Sequence, residues 1–181
     1  MKTILLSGVH GVGKGFFLDK VKEYLQNYSI CSASSLIARY QQVADAGYKK
    51  VKDVSKNQDI LIKAIKDKRS SDTKDIIIDG HICIFNAEGE VERIPEYFFK
   101  DVPIVGIILL QDEPELIYER INQRDSERIN ISDLQRMQEE EQKYAQELEE
   151  KLGISCMIVT HQYTGKQFEN ILNGMGANNA E

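Results

Sequence analysis

The chain has 181 residues, 41% of them hydrophobic and 29% charged, a balance that suits one compact domain and excludes wholesale disorder. Its 23 basic against 29 acidic side chains leave a net charge of -6, which argues against a nonspecific grip on nucleic acid or on an anionic membrane. The short β-prone opening falls far below a membrane span of roughly 20 residues, so a cytoplasmic protein with neither a nucleic-acid nor a membrane partner is expected.

In chain order, residues 3–6 form an apolar β-prone run that ends on Gly8-Val9-His10-Gly11-Val12-Gly13-Lys14-Gly15. Behind it Phe17, Leu18, Val21 and Leu25 recur at helical spacing. A second β-prone run follows at 29–33, then a helical stripe of Ile60, Leu61, Ala64 and Ile65, then a third run at 75–78 leading into Asp79-Gly80-His81. The fourth run is 104–110. Asp112 and Pro114 mark the start of a helix carrying Leu116, Ile117 and Ile121. A longer helix carries Leu134, Met137, Tyr144, Leu148 and Leu152, and its acidic run, 139–141 with Glu147, Glu149 and Glu150, is expected on a solvated face. A fifth strand run is 155–160, and 174–181 is expected as a disordered tail. Cys31, Cys83 and Cys156 are scattered, lack CxxC spacing and sit in or beside apolar stretches; free buried thiols are predicted.

Several strand runs are continuously apolar instead of alternating, which predicts strands covered on both faces. Strands alternating with helices then predict an open α/β sandwich, and with the loop at 8–15 an α/β P-loop NTPase: a three-layer sandwich whose five-stranded, mostly parallel sheet is flanked by helices. One domain is expected over 1–173, with a short arginine-bearing lid at about 120–132.

The glycine-rich segment satisfies GxxxxGK between a strand and a helix, the context that gives the motif its meaning. Glycines let backbone N–H groups close around phosphate oxygens, and the helix N-terminus adds its dipole. Gly8, His10, Gly11, Val12, Gly13, Lys14, Gly15 and Phe16 are therefore the expected contacts to ATP, with Lys14 reaching the β and γ phosphates. Gly15 stands where the motif has a Ser or Thr hydroxyl for Mg²⁺.

Asp79 ends an apolar strand, where ligands bind in open α/β sheets, and is expected to hold Mg²⁺ through water. His81 is a candidate for the acceptor pocket. Arg120, Arg124 and Arg128 recur every four residues, and guanidinium forks from a lid suit the charge that develops in phosphoryl transfer. All three are expected to be catalytic beside Lys14.

The order of these parts, over about residues 1–160, resembles the P-loop nucleoside monophosphate kinases and most of all the archaeal-type adenylate kinases. The parts that carry the resemblance are 8–15, the segment 32–39, Asp79 to His81, the turn 89–95 leading to Pro95, the apolar run 104–110 and the arginines at 120–128. The resemblance implies an acceptor-binding segment at about 32–70 and transfer from ATP to AMP giving two ADP, with the acceptor met by Ser35, Arg39, His81 and Arg93. Ser34-Ser35-Leu36-Ile37 replaces the family's Gly-Asp before an apolar pair. Other readings stay open: a kinase of another small acceptor, a slow ATPase, or a nucleotide-sensing interaction protein.

Overall fold

The computed structural model describes residues 1–44, 54–86, 88–124 and 129–176. The strands are β1 (Thr3–Ser7), β2 (Tyr28–Ser32), β3 (Asp75–Asp79), β4 (Cys83–Phe85), β5 (Val91–Arg93), β6 (Ile104–Gln111) and β7 (Ser155–Thr160). The helices are α1 (Lys14–Val21), α2 (Ala33–Ala44), α3 (Val54–Ser71), α4 (Glu96–Asp101), α5 (Pro114–Arg124), α6 (Ile131–Leu152) and α7 (Gly165–Gly174). Five strands form one sheet in the order β2-β3-β1-β6-β7, and every pairing in it is parallel.

The apolar runs explain this arrangement. All five residues of β1 are buried, as are Ile76, Ile77 and Ile78 in β3, because a strand with helices on both faces has no solvent side on which to place polar residues. The chain leaves β1 for the edge strand β2, returns in β3 beside β1, and crosses to β6 on the other flank. Register pairs Leu6 with Asp79, Ser32 with Asp79, and Ser7 with Leu109. The carboxyl ends of four strands thus meet at one edge, where the strand order reverses and open α/β sheets bind ligands.

Four features differ from the sequence-based expectation. The chain between β3 and β6 adds an antiparallel hairpin, β4 with β5, whose strands of three residues each are too short to show a period of two. The helix α7 starts in a capping box, Thr164 with Gln167, a readable signal that the stripe analysis passed over. Of the tail expected at 174–181, Met175 is 2% exposed and lies over Gly106, where any Cβ would collide with its sulfur; residues 177–181 lie outside the described residues. Leu116 is exposed, whereas Ile117 and Ile121 of the same stripe are buried.

The acidic face of α6 needs a larger correction. Glu141 is 0% exposed. The buried stripe of α6 runs Leu134, Met137, Glu141, Tyr144, Leu148, steps of three and four, so the carboxylate occupies the slot between Met137 and Tyr144 that a core-facing helix keeps pointing inward. Glu140 and Glu147 bind Arg93, and Glu149 Oε1 accepts from the backbone N–H of Cys156.

Cys31 and Cys83 are buried and Cys156 is half-buried, all as free thiols. Among the described residues, no helix is long and apolar enough to cross a membrane.

Candidate active site

The loop between β1 and α1 is shaped by its glycines. Gly8 packs so closely that a Cβ would lie 2.5 Å from the carbonyl oxygen of Leu110. Gly13, at φ +94°, caps α1 in a left-handed conformation that side chains with a Cβ rarely adopt. Between them Val12 N–H bonds to Val9 O at 3.2 Å, and Phe17 N–H reaches back to Gly13 O at 2.9 Å. The loop is thereby folded onto the N-terminus of α1, where unpaired N–H groups and the dipole favour an anion.

Lys14 is 9% exposed. Its ammonium donates to Gly8 O at 2.9 Å, lies 3.4 Å from His81 Nε2 and stands 3.9 Å from Asp79 Oδ1. Burial pushes the Lys14 pKa down, opposed by the charges of Asp79 and Glu141. Burial likewise raises that of Asp79 against the pull of Lys14. His81 is pushed down to about 3, first by burial and then by Lys14 and His10, so it is a neutral imidazole near pH 7.

A buried layer lies behind the loop. Ser7 Oγ donates to Glu141 Oε1 at 2.8 Å and accepts from the Ile82 N–H at 2.9 Å. Burial raises the Glu141 carboxyl to about 7, against the lowering effects of Ser7 and Lys14. Glu141 Oε2 has no partner among the described residues. These contacts tie α6, the first strand and the turn after Asp79 to one point beneath Lys14.

On the outer flank Arg120 donates from Nη1 to Val12 O at 3.2 Å and forms an ion pair with Asp112. His161, just past β7, donates from Nε2 to the same carbonyl at 2.6 Å, and its ring meets those of Phe16 and Phe17 with centroids 6.0 Å apart. Lys20 in turn bonds the carbonyls of His161 and Tyr163. Arg124 closes α5, and Arg128 lies outside the described residues, so the expected lid is described only in part.

A cleft of about 510 Å³ runs from the loop to α2 and α3. Its loop side includes His10, Gly11, Gly13, Lys14, Gly15 and Phe16. Phe16 is 69% exposed at the mouth. The far wall carries Ser32, Ser34, Asn57 and Gln58 among Ile37, Leu61, Ile84 and Phe98, with Asp79 and His81 at the base. A smaller cavity of about 210 Å³ lies on the other side of His10 and His81, against the hairpin and Met137.

The structure therefore brings together Lys14, Asp79, His81 and the loop residues, with Arg120 one layer out. Of the expected acceptor residues it does the same for His81 alone, and not for Ser35, Arg39 or Arg93. Ser35 is exposed and off the cleft, since the first turn of α2 rotates Ser34 toward it instead. Arg39 is exposed and does not line the cleft. Arg93 is held by Glu140 at 2.6 Å and by Glu147 at 2.7 Å, with its guanidinium 4.7 Å above the Tyr144 ring, so it braces the hairpin against α6.

The sequence reading passed over Ser7, Glu141, His161 and Gln58. For Glu141 the signal existed, as the unfilled slot in the α6 stripe. For His161 it was a polar residue at the carboxyl end of the last strand. Ser7 and Gln58 gave none, because nothing in their neighbours announces which side chains face a cleft.

Among the described residues no group of three or more His, Cys, Asp or Glu could hold a metal ion by itself. Asp79 at the base of the cleft suits an ion that arrives with a nucleotide's phosphates, and the space beside Gly15 is open, with nothing within 4 Å of an added Cβ.

Over 139 residues, 70% of this chain and 71% of the relative, the protein is 27% identical to an adenylate kinase from Sulfurisphaera tokodaii. In fold it is similar to the tunicamycin resistance protein of Deinococcus radiodurans, with a TM-score of 0.62, 14% identity and 96% of both chains covered. It is also similar to a gluconokinase from Sinorhizobium meliloti 1021, with a TM-score of 0.50, 12% identity and 94% of this chain and 90% of that one covered. The architecture is thus that of an α/β P-loop NTPase, as the alternating strands and helices predict. A family model described as AAA domain matches residues 7–138, well over half of the chain, and the protein belongs to that family.

Proposed function

We propose that the protein is a phosphotransferase that moves the γ-phosphoryl group of ATP to a small acceptor held against α2 and α3. The observation that carries this reading is the continuity of the 510 Å³ cleft. It joins an anion-binding loop at one end to a walled polar pocket at the other, with Lys14 and Asp79 between them. A nucleotide-binding module without transfer has no need of the second half.

In this reading the backbone of 10–16 and the Lys14 ammonium hold the donor phosphates, and Lys14 follows the charge that develops on the moving group. Arg120 steadies the loop through Val12 O and offers its guanidinium to that charge, with Arg124 and Arg128 proposed to close from the lid. Asp79 would hold Mg²⁺ through water, and the ion would supply charge neutralisation across the phosphates.

The 27% identity to an adenylate kinase makes AMP one acceptor to test against others. The test is radiolabelled transfer from ATP with Mg²⁺ across a panel of small acceptors. Transfer to one of them supports the proposal. ATP binding with no transfer to any acceptor in the panel would overturn it and leave a nucleotide-sensing protein.

A further inference from the structure

We infer that the acceptor is an uncharged, hydroxyl-bearing molecule read by a hydrogen bond from Gln58, and not a phosphate monoester. This inference rests on the phosphotransferase reading and concerns what fills the far half of its cleft.

Three observations carry it. The first is the charge of the wall. Among the described residues, the side chains that α2 and α3 present to the cleft are hydroxyls, amides and aliphatic groups: Ser34, Asn57, Gln58, Ile37 and Leu61. Among the described residues no Arg or Lys lines that half, and Lys14 sits at the loop. A phosphate monoester brings close to two negative charges and is normally met by guanidinium forks. Here it would instead face the carboxylate of Asp79.

The second is the commitment of the arginines. Arg93 is already bonded to two glutamates and stacked on Tyr144, and Arg39 is exposed away from the cleft. Freeing Arg93 would strand Glu140 and Glu147 without their partner.

The third is Gln58 itself. It is 7% exposed, lines the cleft, and its amide makes no hydrogen bond among the described residues. The amide is therefore turned to the cleft, and the polar edge of an uncharged ligand can take the place of the water that reaches it. Beside it Ile37, Leu61 and Phe98 offer an apolar bed for the ligand's flat or aliphatic face.

The chemistry balances. The acceptor hydroxyl oxygen forms a bond to the γ phosphorus, and the bond from that phosphorus to the β–γ bridging oxygen breaks, releasing ADP. The hydroxyl proton passes to an oxygen of the transferred phosphoryl group and from there to solvent, so atoms and charge balance with ATP and the acceptor alone.

The test uses the full chain with saturating Mg²⁺ and labelled ATP, and two acceptor sets. One set is adenosine, cytidine, uridine, D-glucose and glycerol; the other is AMP, CMP and UMP. One uncharged acceptor is expected to exceed every monophosphate by about tenfold or more in kcat/KM, and the nucleoside and sugar arms decide which source supplies the hydroxyl. Gln58→Met, close in volume, should raise the KM for that acceptor by about tenfold while the KM for ATP moves by less than about twofold. Gln58→Asn, which keeps an amide on a shorter stem, should fall between the two.

A preference for a monophosphate overturns the inference and leaves the phosphotransferase reading standing. Failure of any acceptor to receive phosphate overturns both. An unchanged acceptor KM in a folded Gln58→Met variant removes Gln58 from recognition and overturns the assignment.

Discussion

The two ends of the cleft are organised differently. At the loop end, shape comes from backbone: Gly8 and Gly13 set the turn, and the carbonyls of Gly8 and Val12 anchor Lys14, Arg120 and His161. Glu141 and Ser7 brace it from behind. At the α2–α3 end, character comes from side chains alone, a few hydroxyls and amides set among aliphatic groups. The loop end recognises phosphate, a group common to many ligands, so one backbone shape serves. In the proposed phosphotransferase the other end would distinguish one small molecule from another, a task suited to side chains.

The sharpest way to break this comparison is to remove the cation that joins the two ends. Lys14→Ala is expected to lower phosphoryl transfer by about a hundredfold or more, roughly 2.7 kcal/mol in the barrier, with an unchanged circular dichroism spectrum. Transfer within about threefold of the parent would separate Lys14 from the chemistry.

Arg120 tests whether the outer flank belongs to the loop end. Arg120→Ala should lower kcat by about tenfold, about 1.4 kcal/mol, and change the KM for ATP less, with Lys a poor substitute because it lacks the planar fork. Saturating kinetics in both substrates reads the split. A loss confined to the KM for ATP would reduce Arg120 to a brace for Val12.

Glu141 gives the loop end a pH signature that the far wall lacks. Its folded pKa, about 7, lies above the ordinary 4.5, so the native state holds this proton more tightly than the unfolded chain does. Between those values unfolding releases the proton, and this contribution to stability falls as pH rises, then levels off above about 7. Ser7, Lys14 and the Ile82 N–H are the groups that act on the carboxyl. Glu141→Gln removes the titration. Between pH 5 and pH 8 the parent's Tm should drop relative to the variant's, by several degrees at roughly 2–4 °C per kcal/mol. Parallel melting profiles would place the titration elsewhere.

The smallest expected effect is at Gly15. A Cβ there meets nothing within 4 Å, so Gly15→Ser should fold with stability changed by less than about 0.5 kcal/mol. The restored hydroxyl should tighten Mg²⁺ in the nucleotide complex, as isothermal titration would show. A folded variant with weakened ATP binding would make the glycine a requirement of the loop.

The loop end was largely legible in the sequence. GxxxxGK, the strand before it and the stripe of α1 are local patterns, and Asp79 follows its strand without interruption. The acceptor roles expected of Arg39 and Arg93 come from the resemblance to the nucleoside monophosphate kinases, which carries the order of parts and not the partners of each side chain. Whether an arginine is free depends on what lies opposite it, and Glu140 and Glu147 stand 47 and 54 residues from Arg93 in the chain. Ser34 lines the cleft and Ser35 does not, a difference of a single helical step, about 100° of rotation on a helix of 3.6 residues per turn.

By itself the sequence determined the parallel α/β sheet, the position of the phosphate loop and the strand end that carries Asp79, because periodicity, continuous apolar runs and glycine spacing act over neighbouring residues. The tertiary structure alone decided that Glu141 lies buried against Ser7, that Arg93 is bound to α6, and that Gln58 faces the cleft. Those outcomes depend on how helices distant in the chain rotate as they pack, and a side chain's burial and partners are set by that packing.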